Sequence, residues 1–474
     1  MTPAPTEASF AQTGMWITER MGRARTAYHM PLVIRFDGPL DVCALHAACD
    51  AVVRRHAVLS TAVAEDDGLP VMVPGMRPEV RLTTATDLAA IVREETLAPF
   101  DVEKGPLARF VVVKLDPGRH ALVFVAHHLV FDGESKDILV RDLADFYNGE
   151  SHPRLGMSYA SFAEGERERV RRDLAEAKAY WSSRPVGETT LPGLKAAGLG
   201  AAEGAVRTFP ARMPEVPGVS RFELFLASVH TLLHRYGNPD PTVAVDLSTR
   251  VPDVRDNIGL FVNELPVSVR VEGTVADVAR TLHRDLREMY RFRHVPYARA
   301  VRGVRPRTAL AQVSVSYRKR RPDPVFTGVE ATVDWAVFNH SVRSVLHLQA
   351  VDHPDGLFVI MQYGAGSGTE SDVARIAEDL LTIMNNPDIP VDGTPQAAGL
   401  DDAIREIWQE VLGIDEIGDD EDLFDLGGHS LTITQIIARM RKRLGVEVPL
   451  DVFFDTPTIA GVVQAIREAE PAVR

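Results

Sequence analysis

Two short stretches carry residue types that do chemistry. "AHHLVFDGES", residues 126–135, sets His127 beside His128 at the end of an apolar run, then places Asp132, Gly133 and Ser135 close behind. "DLGGHSL", residues 425–431, brings two glycines, His429 and Ser430 together far downstream. An imidazole can accept a proton, or a hydrogen bond, near neutral pH. Successive residues of a strand point to opposite faces, so His127 and His128 cannot both address one substrate, and at most one of them catalyses. The same divergence opposes a His-His-Asp metal site, and the sequence offers no other His/Cys cluster, so no metal is expected. Ser430 does not sit in a hydrolase elbow, because G-x-S-x-G needs a glycine where Thr432 stands. It opens a helix instead. Serine is at home near an N-cap, and a hydroxyl at such a junction is accessible beside N–H groups that favour an anion.

The elements that must position these residues follow from pattern. "RFVVVKL" (109–115) and "HALVFVAH" (120–127) read as strands joined through Asp116, Pro117, Gly118 and Arg119, a hairpin signal. Leu139, Leu143, Phe146 and Tyr147 then recur at helical spacing, so the histidines end a strand and their loop feeds a helix. Downstream, the Gly/Ala-rich stretch 191–205 reads as a connection, followed by a helix near 218–236, a strand at 242–247 and a helix near 274–290. A Pro/Gly-rich linker at 386–400 precedes Ser430's own small domain. There Ile404, Ile407, Trp408, Val411 and Leu412 form one helical stripe, and Ile433, Ile436, Ile437, Met440 and Leu444 form a second. A last helix is expected from Thr456 and Pro457, after a short turn near Val452–Phe454.

Composition sets outer bounds. A chain of 474 residues, 45% hydrophobic and 25% charged, divides into two or three globular units. The net charge of −14 opposes nucleic-acid binding. Residues 401–474 hold sixteen acidic and seven basic side chains, a net −9, so the small domain carries most of the excess. No run of eighteen apolar residues appears, and "MTPAPTEASFAQ" lacks the basic flank and apolar core of a secretory signal. A cytoplasmic location with no membrane partner is expected. Cys43 and Cys49 fall on opposite sides of a helix near 41–55, too far apart to bridge, and are expected to be reduced, buried and inert.

"DLFDLGGHSL" resembles the phosphopantetheine attachment motif of peptidyl carrier proteins, the thiolation domains of nonribosomal peptide synthetases. "HHLVFDG" resembles the HHxxxDG motif of the condensation domains of those synthetases. "SFAQTGMW" (9–16), "RHAVLST" (55–61), "YASFA" (159–163) with "YW" (180–181), "DNIGLFVNELPVSVR" (256–270) and "RHVPYARAV" (293–301) are similar to further motifs of that family. Ser60 and Ala57 depart from the family's usual arginine and glutamate, Arg55 is kept, and "RTALAQVSVSY" (307–317) lacks an expected Asn-Pro.

The resemblance implies an α/β, two-lobed fold like chloramphenicol acetyltransferase, with lobes at 1–190 and 191–385, followed by an all-α four-helix carrier at 401–474. It implies a 4'-phosphopantetheine covalently held by Ser430 and installed by a phosphopantetheinyl transferase. The reaction implied is amide formation between a donor thioester, on a carrier in trans, and an aminoacyl thioester on the chain's own arm. His128 matches the catalytic position, as general base or as a group that orients the amine. Asp132 is expected to pair with an arginine, Arg55 or Arg250, Gly133 to let the backbone turn beside the substrate, and His127 to be structural. No adenylation domain fits between the two domains, so loading by a separate adenylating enzyme is expected. The alternatives are recruitment or epimerisation. An epimerisation domain normally follows its carrier, and a recruitment domain usually has a degraded histidine motif. The basic run Arg318–Arg321 reads as a solvated loop, or as a dock for an acidic carrier.

Overall fold

A computed structural model describes residues 5–469 except 185, 188, 196, 197, 199, 303–308, 393–399, 415, 416, 445 and 447. The chain separates into two compact units, Met1–Asp392 and Gly393–Arg474. Most of the stretch that composition marks as a linker, 393–399, lies outside the described residues. Its beginning does not behave as one. Pro390 bridges Thr274, the Val391 N–H donates to the Gly273 carbonyl at 2.9 Å, and Val391 is fully buried, so the first unit runs past 386.

The first unit is built on two large sheets. One has five strands, in the order Glu330–Asp334, His29–Asp37, Arg119–His127, Ala108–Asp116 and Val80–Thr84. Both of its faces are covered, which is why "HALVFVAH" is a continuous apolar run rather than an alternating one. Phe110, Leu122 and Phe124 pack with Leu45 and Val52 of the helix Val42–Arg55 and with Leu139 and Leu143 of the helix Gly133–Tyr147. Val111, Val113, Val123 and Val125 face the other way, with Leu88 of the helix Leu88–Leu97. In the helix Val42–Arg55 Cys49 is buried, but Cys43 is exposed, against the expectation for both.

The second sheet has seven strands, in the order Val262–Ser268, Thr242–Ser248, Val313–Lys319, Leu346–His353, Gly356–Gly364, Ala202–Ala211 and Ser341–Val342. One face, with Val243, Val245, Val313, Val315, Leu346 and Leu348, is covered by the helices Arg221–Arg235, Val275–Met289 and Glu370–Asn385. Ser220 with Glu223 and Thr274 with Asp277 close capping boxes at the first two, which fixes their starts. Part of the stretch expected as a connection is sheet, since a strand begins at Ala202; residues 196, 197 and 199 lie outside the described residues.

The two lobes exchange chain, so a cut at 190 does not separate them. The strand Glu330–Asp334 pairs with His29–Asp37 in the first sheet. Val254, Ile258, Leu260 and Phe261 are packed in the first core. The helix Tyr159–Ser182 gives Tyr159 and Phe162 to that core, and Val170, Ala177 and Trp181 to the second.

Among the described residues the second unit holds four helices, Leu400–Leu412, Ser430–Leu444, Val452–Asp455 and Ile459–Ala469. Ile404, Trp408, Ile433, Ile436, Met440, Phe453 and Val462 close its core. The last helix starts two residues after Pro457, because Thr458 takes the capping role, its Oγ1 accepting the Gly461 N–H at 3.0 Å. Among the described residues no helix is long and apolar enough to cross a membrane.

The exchange of chain between lobes has a direct consequence for fragments. Residues 1–190 lack the edge strand and the Ile258–Phe261 plug, so this piece will be insoluble or lack a cooperative melt. Fragment 1–392 will melt cooperatively by circular dichroism, and a well-folded 1–190 piece would contradict this architecture.

Candidate functional site

The strand Arg119–His127 ends at His127, and the chain turns through His128–Val130 into the helix Gly133–Tyr147. Leu129, Val130 and Phe131 are fully buried and anchor the turn. The Gln12 side chain donates to the Leu129 carbonyl at 2.8 Å, and Ser9, at the start of the same motif, forms a capping box with Gln12. His127 is buried. Its Nδ1 accepts the Leu129 N–H at 3.1 Å, which makes Nε2 the protonated nitrogen that donates to Glu19 at 3.0 Å.

His128 is half-buried and lines a cavity between the two sheets. Its Nδ1 lies 2.7 Å from the Phe131 carbonyl, an acceptor only, so Nδ1 carries the proton and Nε2 presents a lone pair. Burial, and secondarily the cation of Arg343, push the imidazole down to about 4. It is therefore neutral at physiological pH.

Asp132 is the N-cap of the helix Gly133–Tyr147, fully buried and hydrogen-bonded at both carboxylate oxygens. Its Oδ1 accepts the Ser135 N–H at 2.7 Å and the Arg250 Nη2–H at 2.9 Å, and its Oδ2 accepts the Phe261 N–H at 3.0 Å. Burial pushes this carboxyl up, but Arg250, Arg318 and the Ser135 bonds outweigh it and hold it below the ordinary carboxylate value. Arg250 is itself nearly buried. It also bonds Glu134 at 3.0 Å and the Asn257 carbonyl at 2.6 Å, and lies 4.2 Å over the Phe261 ring.

Two expectations require correction. Arg55 does not reach Asp132: its Nε sits 2.9 Å from Asp142, and another guanidinium nitrogen donates to the Pro153 carbonyl. The neighbouring His56 also binds Asp142, at 2.8 Å, while its Nδ1 accepts the Ile258 N–H at 3.2 Å, so this pair steadies the Arg250–Phe261 segment from behind. Gly133 is the first residue of a helix and lacks a positive φ; a Cβ there would fall 1.8 Å from the Arg318 guanidinium. The glycine makes room for that side chain rather than for a backbone turn.

The basic run is not a uniform surface loop. Ser314, Ser316, Arg318 and Arg320 alternate along one strand face and its continuation and line the cavity, whereas Lys319 and Arg321 are exposed. Asp246 and His347, on neighbouring strands, line it too. His347 bonds Ser314 at 2.8 Å, and burial pushes it down to about 4. Arg343 stands 3.5 Å from Glu264, and the Glu264 and Asp246 carboxylates outweigh its burial and raise its basicity. Glu264 falls within the motif-like stretch 256–270, but none of Asp246, Lys136, Arg343 or His347 stands in a recognisable motif. A signal exists for His347 and for the serines and arginines beside it: the alternation of "VSVSYRKR" (313–320) and "LHLQ" (346–349), polar at every second position of strands that are otherwise core.

In the second unit, Ser430 is the first residue of the helix Ser430–Leu444 and is exposed. The preceding loop is closed by Gly427, at φ +87°, and by Gly428, whose N–H donates to the Leu423 carbonyl at 2.8 Å. His429 Nδ1 accepts the Thr432 N–H at 3.4 Å and so takes the capping position. The Ser430 hydroxyl makes no hydrogen bond to any described residue. A free, exposed hydroxyl at the start of a fifteen-residue helix fits a phosphodiester attachment point.

Family models match in the same two places. A condensation domain covers residues 5–387, and a phosphopantetheine attachment site covers residues 402–466. The chain belongs to the condensation-domain family and is a condensation–carrier didomain of the nonribosomal peptide synthetase type, whose carrier domain is the site of covalent phosphopantetheine attachment on a serine. It is 27% identical to tyrocidine synthase 3 of Brevibacillus parabrevis over 80% of this chain and 6% of that one. It is 29% identical to phosphinothricin tripeptide synthetase PhsC of Streptomyces viridochromogenes over 63% of this chain and 31% of that one. The chain thus spans a small part of these relatives. In fold it is similar to the starter condensation domain of rhizomide synthetase, with a TM-score of 0.73 at 17% identity over 82% of this chain and 96% of that one. The X-domain from teicoplanin biosynthesis gives 0.69 at 22% identity, over 82% and 97%.

Removing one partner of the Asp132–Arg250 pair leaves a buried charge uncompensated, so Arg250→Leu will destabilise the first unit by about 3–5 kcal/mol in urea unfolding. Asp132→Asn keeps a capping side chain, and the double variant will lose less than the two single losses combined. Strict additivity would show that the pair is not coupled.

The neutral histidines add a pH dependence. Burial holds His29, like His128 and His347, down to about 4. Unfolded histidines bind protons near 6.5, so stability is lost as pH falls from 6.5 toward 4, by up to about 1.4 kcal/mol per pH unit for each. Melting at pH 7 and pH 5 reads this fall, and His29→Gln will flatten it.

Proposed function

We propose that this didomain joins a donor acyl group to the amine of an amino acid carried on Ser430, with His128 as the catalytic residue. The bound phosphopantetheine supplies a thiol that carries the amino acid as a thioester. The protein's own residues do the rest. The amine nitrogen forms a bond to the donor carbonyl carbon, the carbon–sulfur bond breaks, and the proton shed by the amine ends on the departing thiolate. His128, with Nδ1 tied to Phe131, offers Nε2 to the amine and holds it in line. An imidazole near 4 is a far weaker base than an ordinary α-amine near 8, which favours the orienting role over outright proton removal. Asp132, Arg250 and the Phe261 backbone fix the turn that aims it, and Gly133 leaves room for Arg318.

The observation that carries this reading is the fixed tautomer of His128 inside a cavity shared by two lobes, in a chain that also presents a free serine at a helix start. No activating domain lies between residues 387 and 402, so the amino acid is loaded by an adenylating enzyme outside that interval. The donor arrives on another carrier, and a phosphopantetheinyl transferase primes Ser430.

Two substitutions test the assignment. Ser430→Ala will abolish the mass gain on phosphopantetheinylation while leaving the melting curve of the first unit in place; a retained mass gain would refute attachment there. His128→Ala will keep loading, seen by intact mass, and lower single-turnover condensation by ~10² or more. His127→Ala will chiefly lower stability. A His128→Ala protein condensing at the native rate would remove this residue from the chemistry.

A further inference from the structure

Condensation as described leaves part of the cavity unused. Three cations gather where the strand Val313–Lys319 passes the start of the helix Gly133–Tyr147. The Arg318 guanidinium lies directly on Gly133 and makes no hydrogen bond or ion pair to any described residue. Lys136, one turn along the helix and buried, donates to the carbonyls of Pro31 at 2.7 Å and Trp335 at 3.1 Å, both neutral. Arg320 is buried 3.8 Å over the Trp335 ring, bonded to Asp137 at 2.6 Å, with its Nε buried and unpaired. Among the described residues, Asp137 is the only carboxylate paired with any of the three.

Asp132, the carboxylate that feels Arg318, is already bonded to Arg250, and Asp137 serves Arg320, so the three cations are short of counter-charge, which is costly in a partly dry cavity because burial and like neighbours both oppose the charged form. Lys136 registers both effects: burial first, then Arg320 and Arg318, push its ammonium down to about 7. Arg343, elsewhere on the same wall, has Glu264 and Asp246 beside it, so the imbalance is local to the three. An anion entering the cavity would offset it, and a free guanidinium presents paired donors matched to a carboxylate.

We propose that the cavity holds a subsite for a substrate carboxylate, with Arg318 as its direct ligand and Lys136 and Arg320 supplying supporting charge. One of the two condensing partners thus carries an anionic group besides its thioester. This rests on reading the cavity as the condensation site, and it adds a substrate class to that reading.

Neutral N-acetylcysteamine thioesters test it on the full chain by calorimetry, free of the phosphates of a natural arm. Succinyl against butyryl thioester probes the donor, and aspartyl against 2-aminobutyryl thioester probes the acceptor. The expected result is at least tenfold tighter binding of the carboxylate member in one of the two pairs, and that pair identifies which partner is anionic. In Arg318→Gln, with its melting temperature checked, the preference will fall below threefold; in Arg318→Lys, which keeps the charge without the fork, it will be intermediate. No preference in either pair, or a preference that survives Arg318→Gln, overturns the proposal. Binding is read without turnover, and His128→Ala will retain the preference. A native protein that shows the preference yet fails to condense would therefore count against the condensation reading and leave the subsite standing.

Discussion

A single buried carboxylate organises this molecule. Asp132 starts the helix that follows the histidine turn, and at the same time binds Arg250 and the Phe261 N–H from a segment that belongs by sequence to the other half of the unit. A charge placed that deep is tolerable only when it is paired and hydrogen-bonded, and here both oxygens accept bonds and Arg250 supplies the counter-charge. The remaining motif-like stretches then make sense as its supports. Tyr159 donates to the Leu260 carbonyl at 2.9 Å and its hydroxyl meets Ser9 at 3.0 Å, while the Gly259 N–H donates to Ser135 at 3.1 Å. Gly259 itself has no room for a side chain, because a Cβ would come within 2.5 Å of the Tyr159 ring. Motifs scattered over two hundred and fifty positions become one hydrogen-bonded knot around a turn.

That knot explains how a half-buried histidine stays useful. Left mobile in a desolvated site, an imidazole could expose either nitrogen. Fixing the turn from Leu129 to Phe131 puts a carbonyl 2.7 Å from Nδ1 and removes the choice. The seven-stranded sheet supplies the opposite wall by splitting its two faces: valines and leucines against the helices, and serine, arginine, histidine and glutamine toward the cavity. Close packing on the first face keeps the polar second face in register, so the site is held by backbone geometry rather than by flexible loops.

Legibility in the sequence followed range of interaction. The hairpin, the strand end at the histidines, the helix after Gly133 and the stripes of the carrier all rest on contacts within a few residues, and periodicity reports those directly. Arg250 and Arg55 were equal candidates for Asp132 because nothing local distinguishes two arginines whose partners are chosen across the fold. The packing that sends Arg55 to Asp142 lies between two helices distant in sequence. The exchange between the lobes escapes the sequence for the same reason: an edge strand at 330–334 and a plug at 254–261 cross over by tertiary pairing that composition does not record. Pro390 and Val391 were read as linker because prolines and glycines usually mark exposed chain, yet two backbone bonds and one apolar side chain suffice to bind such a segment.

Ser430 shows the opposite physical solution to the one used at His128. As the proposed acceptor of a covalent arm, Ser430 must be reached by another enzyme, so its hydroxyl has to be spared from structural duty. The ordinary fate of a serine at a helix start is to cap it. Here the preceding His429 occupies that position and bonds the Thr432 N–H, while Gly427 and Gly428 fold the loop tightly onto Leu423 beneath it. The stability of the helix is thereby carried by neighbours and by the stripe Ile433, Ile436 and Met440 in the core. Only when those three supports are in place can the one residue that must stay free do so without weakening the helix it begins.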